Sequence, residues 1–127
     1  MTAPAQIREY HVGAKSTDVF GRVQCSARDH HFIVDGPVQN GCPGEEVTPP
    51  ELLLSSVAAC GVELVQVIAK EQNARVGAVE VAAYGMLDRA NQSRPNVTVY
   101  NTVRLTFTLR GTDGATAAQL VEAFKRR

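Results

Sequence analysis

The sequence has no excess of charge of either sign: over 127 residues, thirteen basic residues balance thirteen acidic ones. No basic stripe marks a nucleic-acid partner and no acidic tail marks disorder, so neither class is expected. A basic start followed by an apolar stretch is also lacking, and the opening MTAPAQIREYHVG does not have the form of a secretory signal. No apolar run approaches the roughly 18 residues that a membrane helix needs. The expectation is a soluble, cytoplasmic protein with no membrane partner. Cysteine is scarce and odd in number, with Cys25, Cys42 and Cys60 and no CxxC pair. That argues against a disulfide scaffold and leaves at least one thiol free for chemistry. The cysteines and histidines have no known zinc-ligand spacing, and no metal or other cofactor is expected. Internal repeats and low-complexity segments are absent as well.

What is present reads as one globular domain over residues 1–127, 44% hydrophobic and 20% charged, with a modest core. Residues 6–12 (QIREYHV) are expected to form a first strand. Residues 19–27 alternate, with Val19, Val23, Cys25 and Ala27 on one face and Arg22, Gln24 and Ser26 on the other. Arg28-Asp29-His30 is the expected turn into a strand at 31–34, completing an antiparallel meander. Residues 35–50 (DGPVQNGCPGEEVTPP) form the longest loop, and loops of that length in small domains are often functional.

The clearest helix is 50–72. Pro50 suits its first position, and Thr48 with Glu51 has the spacing of a capping box. From Leu52 to Val62 no residue is charged, and a helix apolar all round must be buried all round. One chain of this size can hardly surround it, so a second subunit is a natural source of cover. Residues 76–87 and 97–109 are read as strands. In the second, Val97, Val99, Val103, Leu105, Phe107 and Leu109 face one way and Thr98, Thr102, Arg104, Thr106 and Thr108 the other. Residues 116–127 form a last helix. Strands, helix, strands, helix is an α+β order.

A cysteine inside a buried helix is, taken alone, a small hydrophobe. The segment Pro49-Pro50-Glu51-Leu52-Leu53-Leu54-Ser55-Ser56-Val57-Ala58-Ala59-Cys60, however, resembles the OsmC/Ohr family motif, in which a Gly-rich loop leads to P-x-E-L-[LF] and a helix carrying A-x-x-A-C. The resemblance implies an intertwined homodimer of antiparallel sheets around a buried central helix, with active sites at the subunit interface. It implies a thiol-dependent peroxidase that reduces organic hydroperoxides in an oxidative-stress response, using a dithiol or protein thiol as reductant. Cys60 matches the peroxide-attacking cysteine, Glu51 the acid that opens the helix, and Arg22 the arginine of the second strand. A free thiol ionises near roughly 8.5, and the helix dipole does little at a mid-helix position, so a cation has to stabilise the thiolate. Arg22 is the candidate, and Glu51 is suited to clamp it. Nine positions separate Glu51 from Cys60. They therefore lie on opposite helix faces, about 13 Å apart along the axis. A shared site would need Glu51 from a partner subunit, or a sharp bend at Pro49-Pro50.

Cys25 is expected in the core. Cys42 is expected in an exposed loop, either incidental or a substitute resolving thiol. The family usually carries a second cysteine in a C-P dipeptide after a helix like LVEAFKRR, then one more strand; both lie beyond Arg127 in this pattern. Two alternatives stay open: the same fold without peroxidase activity, binding an apolar ligand, or a structural protein in which Cys60 is only core.

Overall fold

In the computed structural model, which describes residues 6–127, Val12–Ser16 (β1), Arg22–Ala27 (β2) and His30–Asp35 (β3) form an antiparallel meander in the order β1-β2-β3. Ala27 pairs with His30 across a two-residue turn, with Arg28 in the left-handed region at φ 55°. β1 begins only at Val12, so the strand expected at 6–12 is displaced. The reason is register: Val12 already pairs with Ala27, the last residue of β2. Residues 6–11 have no ladder partner left. A 3-10 turn, Val38–Asn40, interrupts the long loop.

Helix α1 runs unbroken from Pro49 to Glu71. Glu51 accepts hydrogen bonds from the Thr48 amide (3.1 Å) and hydroxyl (2.7 Å), as a capping-box acid does. At the other end Asn73, left-handed at φ 56°, stops the helix, and the Ala74 amide reaches back to the Ala69 carbonyl at 2.8 Å.

Ala78–Met86 (β4) and Thr102–Arg110 (β5) pair antiparallel, and Gly114–Lys125 forms α2. The ladder ends at the Met86–Thr102 pair, five residues later than the alternation from Val97 suggested. Side-chain amides take over the backbone there. Gln92 donates to the Val99 carbonyl and accepts from its amide, while Asn101 accepts from the Asp88 amide and donates to the Asn91 carbonyl. These local bonds compete with strand pairing and win.

The described residues gather into two compact units that divide inside α1, one up to Leu52 and the other Leu53–Arg127. The core of the second is Val65, Ile68, Ala69 and Leu120, backed by Phe107 and Phe124, whose rings stand 5.3 Å apart. On β4 and β5, Val81 pairs with Phe107 on the face that receives α1. A side chain at Gly61 would come within 3.3 Å of both residues, so glycine lets the helix settle closely on the sheet. Asp113 caps α2 by accepting from the Thr116 amide.

Within the chain α1 buries one stripe, Gly61, Val65, Ile68 and Ala69, rather than its whole circumference. Leu53 and Val67 on the other side are exposed. The helix is also long and apolar enough to cross a membrane by length and composition, with mean hydropathy 2.0 over an 18-residue window. This corrects the expectation that no run approaches that length. A strictly charge-free run stops at Glu63, but one acid hardly lowers the average. Here the helix serves as the packing partner of β4 and β5.

Replacing Leu120 by Ala should destabilise the protein by about 3 kcal/mol, since the side chain is fully buried in the core. Urea unfolding measures it; a loss under about 1 kcal/mol would show that Leu120 does not carry the core.

Candidate functional site

Arg22 and Asp35 are direct cross-strand partners on β2 and β3. Their side chains meet on one face, and the guanidinium grips the carboxylate side-on: Nε donates to Oδ1 at 2.8 Å and Nη2 to Oδ2 at 2.9 Å. Asp35 is fully buried. A buried carboxylate needs its lone pairs filled, and the returning loop fills them. The amides of Glu45 and Glu46 both donate to Oδ2 at 3.0 Å. The Asp35 amide donates to the Val47 carbonyl at 3.1 Å, and the Gly36 amide to that of Gly21 at 2.8 Å. Glu45 adds a longer, exposed contact of 3.4 Å to Nη2. Hydrogen bonds from Arg22 are the main reason the Asp35 carboxyl is held far below the ordinary carboxylate range, and the same bonds raise Arg22 further above its own.

The carboxylate clamp expected from Glu51 is therefore supplied, within this chain, by Asp35 with Glu45. Glu51 instead binds Thr48, whose hydroxyl is the main cause of its lowered pKa. Neither Asp35 nor Glu45 stood out in the sequence. The signal for Asp35 was its place at the end of a strand, directly before Gly36-Pro37.

Cys60 lies in the second unit, on α1, and is exposed. It shares the exposed side of the helix with Leu53, Ser56 and Val67. Its neighbour Gly61 faces the sheet, so the thiol is carried beside the buried stripe rather than in it. All three cysteines are free. Cys25 is half-buried between Ala14 and Phe32 on neighbouring strands. Cys42 is half-buried rather than exposed: it fills the space that a side chain on Gly21 or Gly36 would need, and Gly21 adopts φ 80° there.

The sequence model of the OsmC-like protein family matches residues 42–127. Comparison with curated proteins gives no match. Among solved structures, the chain is similar to an OsmC-like protein from Mycoplasma pneumoniae at 13% identity and TM-score 0.80, covering 96% of this chain and 84% of the other. An organic hydroperoxide resistance protein from Elizabethkingia anophelis matches at 16% identity and TM-score 0.74, covering 95% and 84%. The organic hydroperoxide resistance protein OsmC from Legionella pneumophila matches at 18% identity and TM-score 0.63, covering 96% and 85%. At these identities the likeness is one of fold.

The Arg22–Asp35 pair dictates how stability responds to acid. Asp35 titrates lower in the folded chain than in the unfolded one. Its stabilisation is therefore complete above the unfolded carboxyl value near about 4 and is lost as pH falls toward the folded value. Glu51, Asp88, Asp113 and Glu122 shift in the same direction. The melting temperature should be flat between about pH 7 and 5 and fall below about pH 4. Asp35→Asn should lower the plateau and flatten part of the acid limb. An acid limb as steep in the variant as in the parent would mean that Asp35 is not paired in solution.

Proposed function

The chain belongs to the OsmC-like protein family, and from that premise we propose that it is a cytoplasmic, homodimeric thiol peroxidase that reduces organic hydroperoxides with Cys60. The observation that carries this reading is an exposed thiol within the charge-free stretch Leu52–Val62 of α1, entered through Pro49-Pro50-Glu51-Leu52. The Cys60 thiolate attacks the terminal peroxide oxygen. The sulfur–oxygen bond forms as the O–O bond breaks, the alkoxide leaves and takes a proton as the alcohol, and sulfur is oxidised by two electrons to sulfenic acid. An external dithiol then condenses with the sulfenic acid, releasing water, and its second thiol frees Cys60 as the cyclic disulfide departs.

Arg22 is the cation assigned to the thiolate, and Glu51 the acid of the helix entry. Because α1 is continuous, Glu51 stays about nine residues' rise from the Cys60 of its own helix. A second copy is the natural source of the acid, and also of cover for Leu53 and Val67. The apolar helix surface around Cys60 favours organic peroxides over hydrogen peroxide. A second reading, the same fold binding an apolar ligand without turnover, is favoured by one observation: Arg22 already spends two donors on Asp35.

An assay with an organic hydroperoxide and a dithiol separates the two. Turnover should fall to the protein-free rate in Cys60→Ser and survive in Cys25→Ser. In alkylation at mildly acidic pH, Cys60 should label before Cys25 and Cys42, because a paired thiolate persists to lower pH. Without reductant, excess peroxide should add two oxygens to Cys60, the sulfinic acid. Full activity in Cys60→Ser, or a Cys60 unchanged by peroxide, would sink the peroxidase reading.

A further inference from the structure

We propose that Asp35 is a positioning residue for this site, aiming the Arg22 guanidinium and coupling it to the loop that delivers Glu51; the proposal rests on the peroxidase reading above. An arginine side chain has many rotamers, and a cation that stabilises a thiolate is useful only where it is held. Asp35 holds Nε and Nη2 together, so the plane of the guanidinium is fixed, and Nη1 pairs with no carboxylate among the described residues. The arrangement is polarised: the Asp35 side chain is 0% exposed and that of Arg22 27%. The buried carboxylate sits behind and the guanidinium in front, where exposed Glu45 takes a longer 3.4 Å contact to Nη2 and Nη1 is the donor left facing outward.

The second half of the inference comes from what else Asp35 holds. Its Oδ2 receives the Glu45 and Glu46 amides, and its own amide binds Val47. The next residue, Thr48, binds the Glu51 carboxylate. One buried carboxylate therefore joins the arginine on β2 to the acid at the start of α1. The two side chains are separated by 29 positions in sequence and are linked by a continuous series of hydrogen bonds and backbone. Asp35 touches no reacting atom in this scheme; it acts through Arg22.

The test compares the full-length parent with Asp35→Glu, Asp35→Asn and Arg22→Lys, each checked for folding by circular dichroism. The readouts are the pH midpoint of Cys60 alkylation, mapped by mass, and kcat/KM with an organic hydroperoxide. Asp35→Glu keeps the charge but moves the carboxylate by one methylene. It should raise the midpoint by about one unit and lower kcat/KM where the thiol is then only partly ionised. Arg22→Lys should raise the midpoint similarly, and adding Asp35→Glu to it should change the midpoint no further, because both act through one group. A parent-like midpoint in folded Asp35→Glu or in Arg22→Lys, or additive shifts in the double variant, would overturn the proposal. Should Asp35→Asn fail to fold, the other two variants still decide. Should the parent show no turnover at all, the peroxidase reading fails on its own, and the alkylation midpoints still decide the role of Asp35.

Discussion

A single buried carboxylate sets the conformation of the first unit. Asp35 has no water to solvate it, so every lone pair has to find a donor inside the protein. Arg22 answers from the neighbouring strand, and the amides of Glu45 and Glu46 answer from the returning loop. The loop's path is thus a consequence of one charge. Without that demand a stretch of Gly, Pro and Asn would have little reason to choose one course over many. Cys42 adds shape to charge by occupying the gap beside Gly21 and Gly36, each adjacent in sequence to a member of the ion pair.

The second unit is organised by packing instead. α1 meets β4 and β5 through Gly61, while Val65 and Ile68 meet Leu120 of α2. Only one stripe of the helix is consumed in this way. The side that carries Cys60 keeps Leu53 and Val67 exposed, together with Ser56 and Glu63. A reactive thiol benefits from such surroundings once they are covered, since water exclusion strengthens the pull of any nearby cation.

Element type was legible in the sequence; register was not. α1 announced itself through Thr48, Pro50, Glu51 and a long apolar run, and the observed bounds lie within one residue of those expected. The meander and the β4–β5 pair followed from alternation. The β2–β3 register turned on the length of one turn. A three-residue turn at Arg28-Asp29-His30 pairs Ala27 with His31 and sets Arg22 opposite Gly36; the two-residue turn sets it opposite Asp35. One residue of turn length separates an unpaired arginine from a clamped one. For the same reason Asp35 stayed hidden while Arg22, Glu51 and Cys60 were visible through a motif. The limits of β1 and β5 were hidden differently. They depend on where a partner strand runs out and on side-chain amides outcompeting the ladder, and neither is written in the local pattern.

Gly61 has a meaning beyond close packing. It sits one position after Cys60 and is the point where the helix touches Phe107 and Val81. A residue without a side chain there acts as a zero-thickness spacer between helix and sheet. A methyl group there would meet the Phe107 and Val81 side chains at 3.3 Å, so either those side chains give way or that turn of the helix moves with the adjacent sulfur. The height at which the helix carries its thiol over the sheet is thus bounded from underneath, by a residue whose only contribution is the room it leaves.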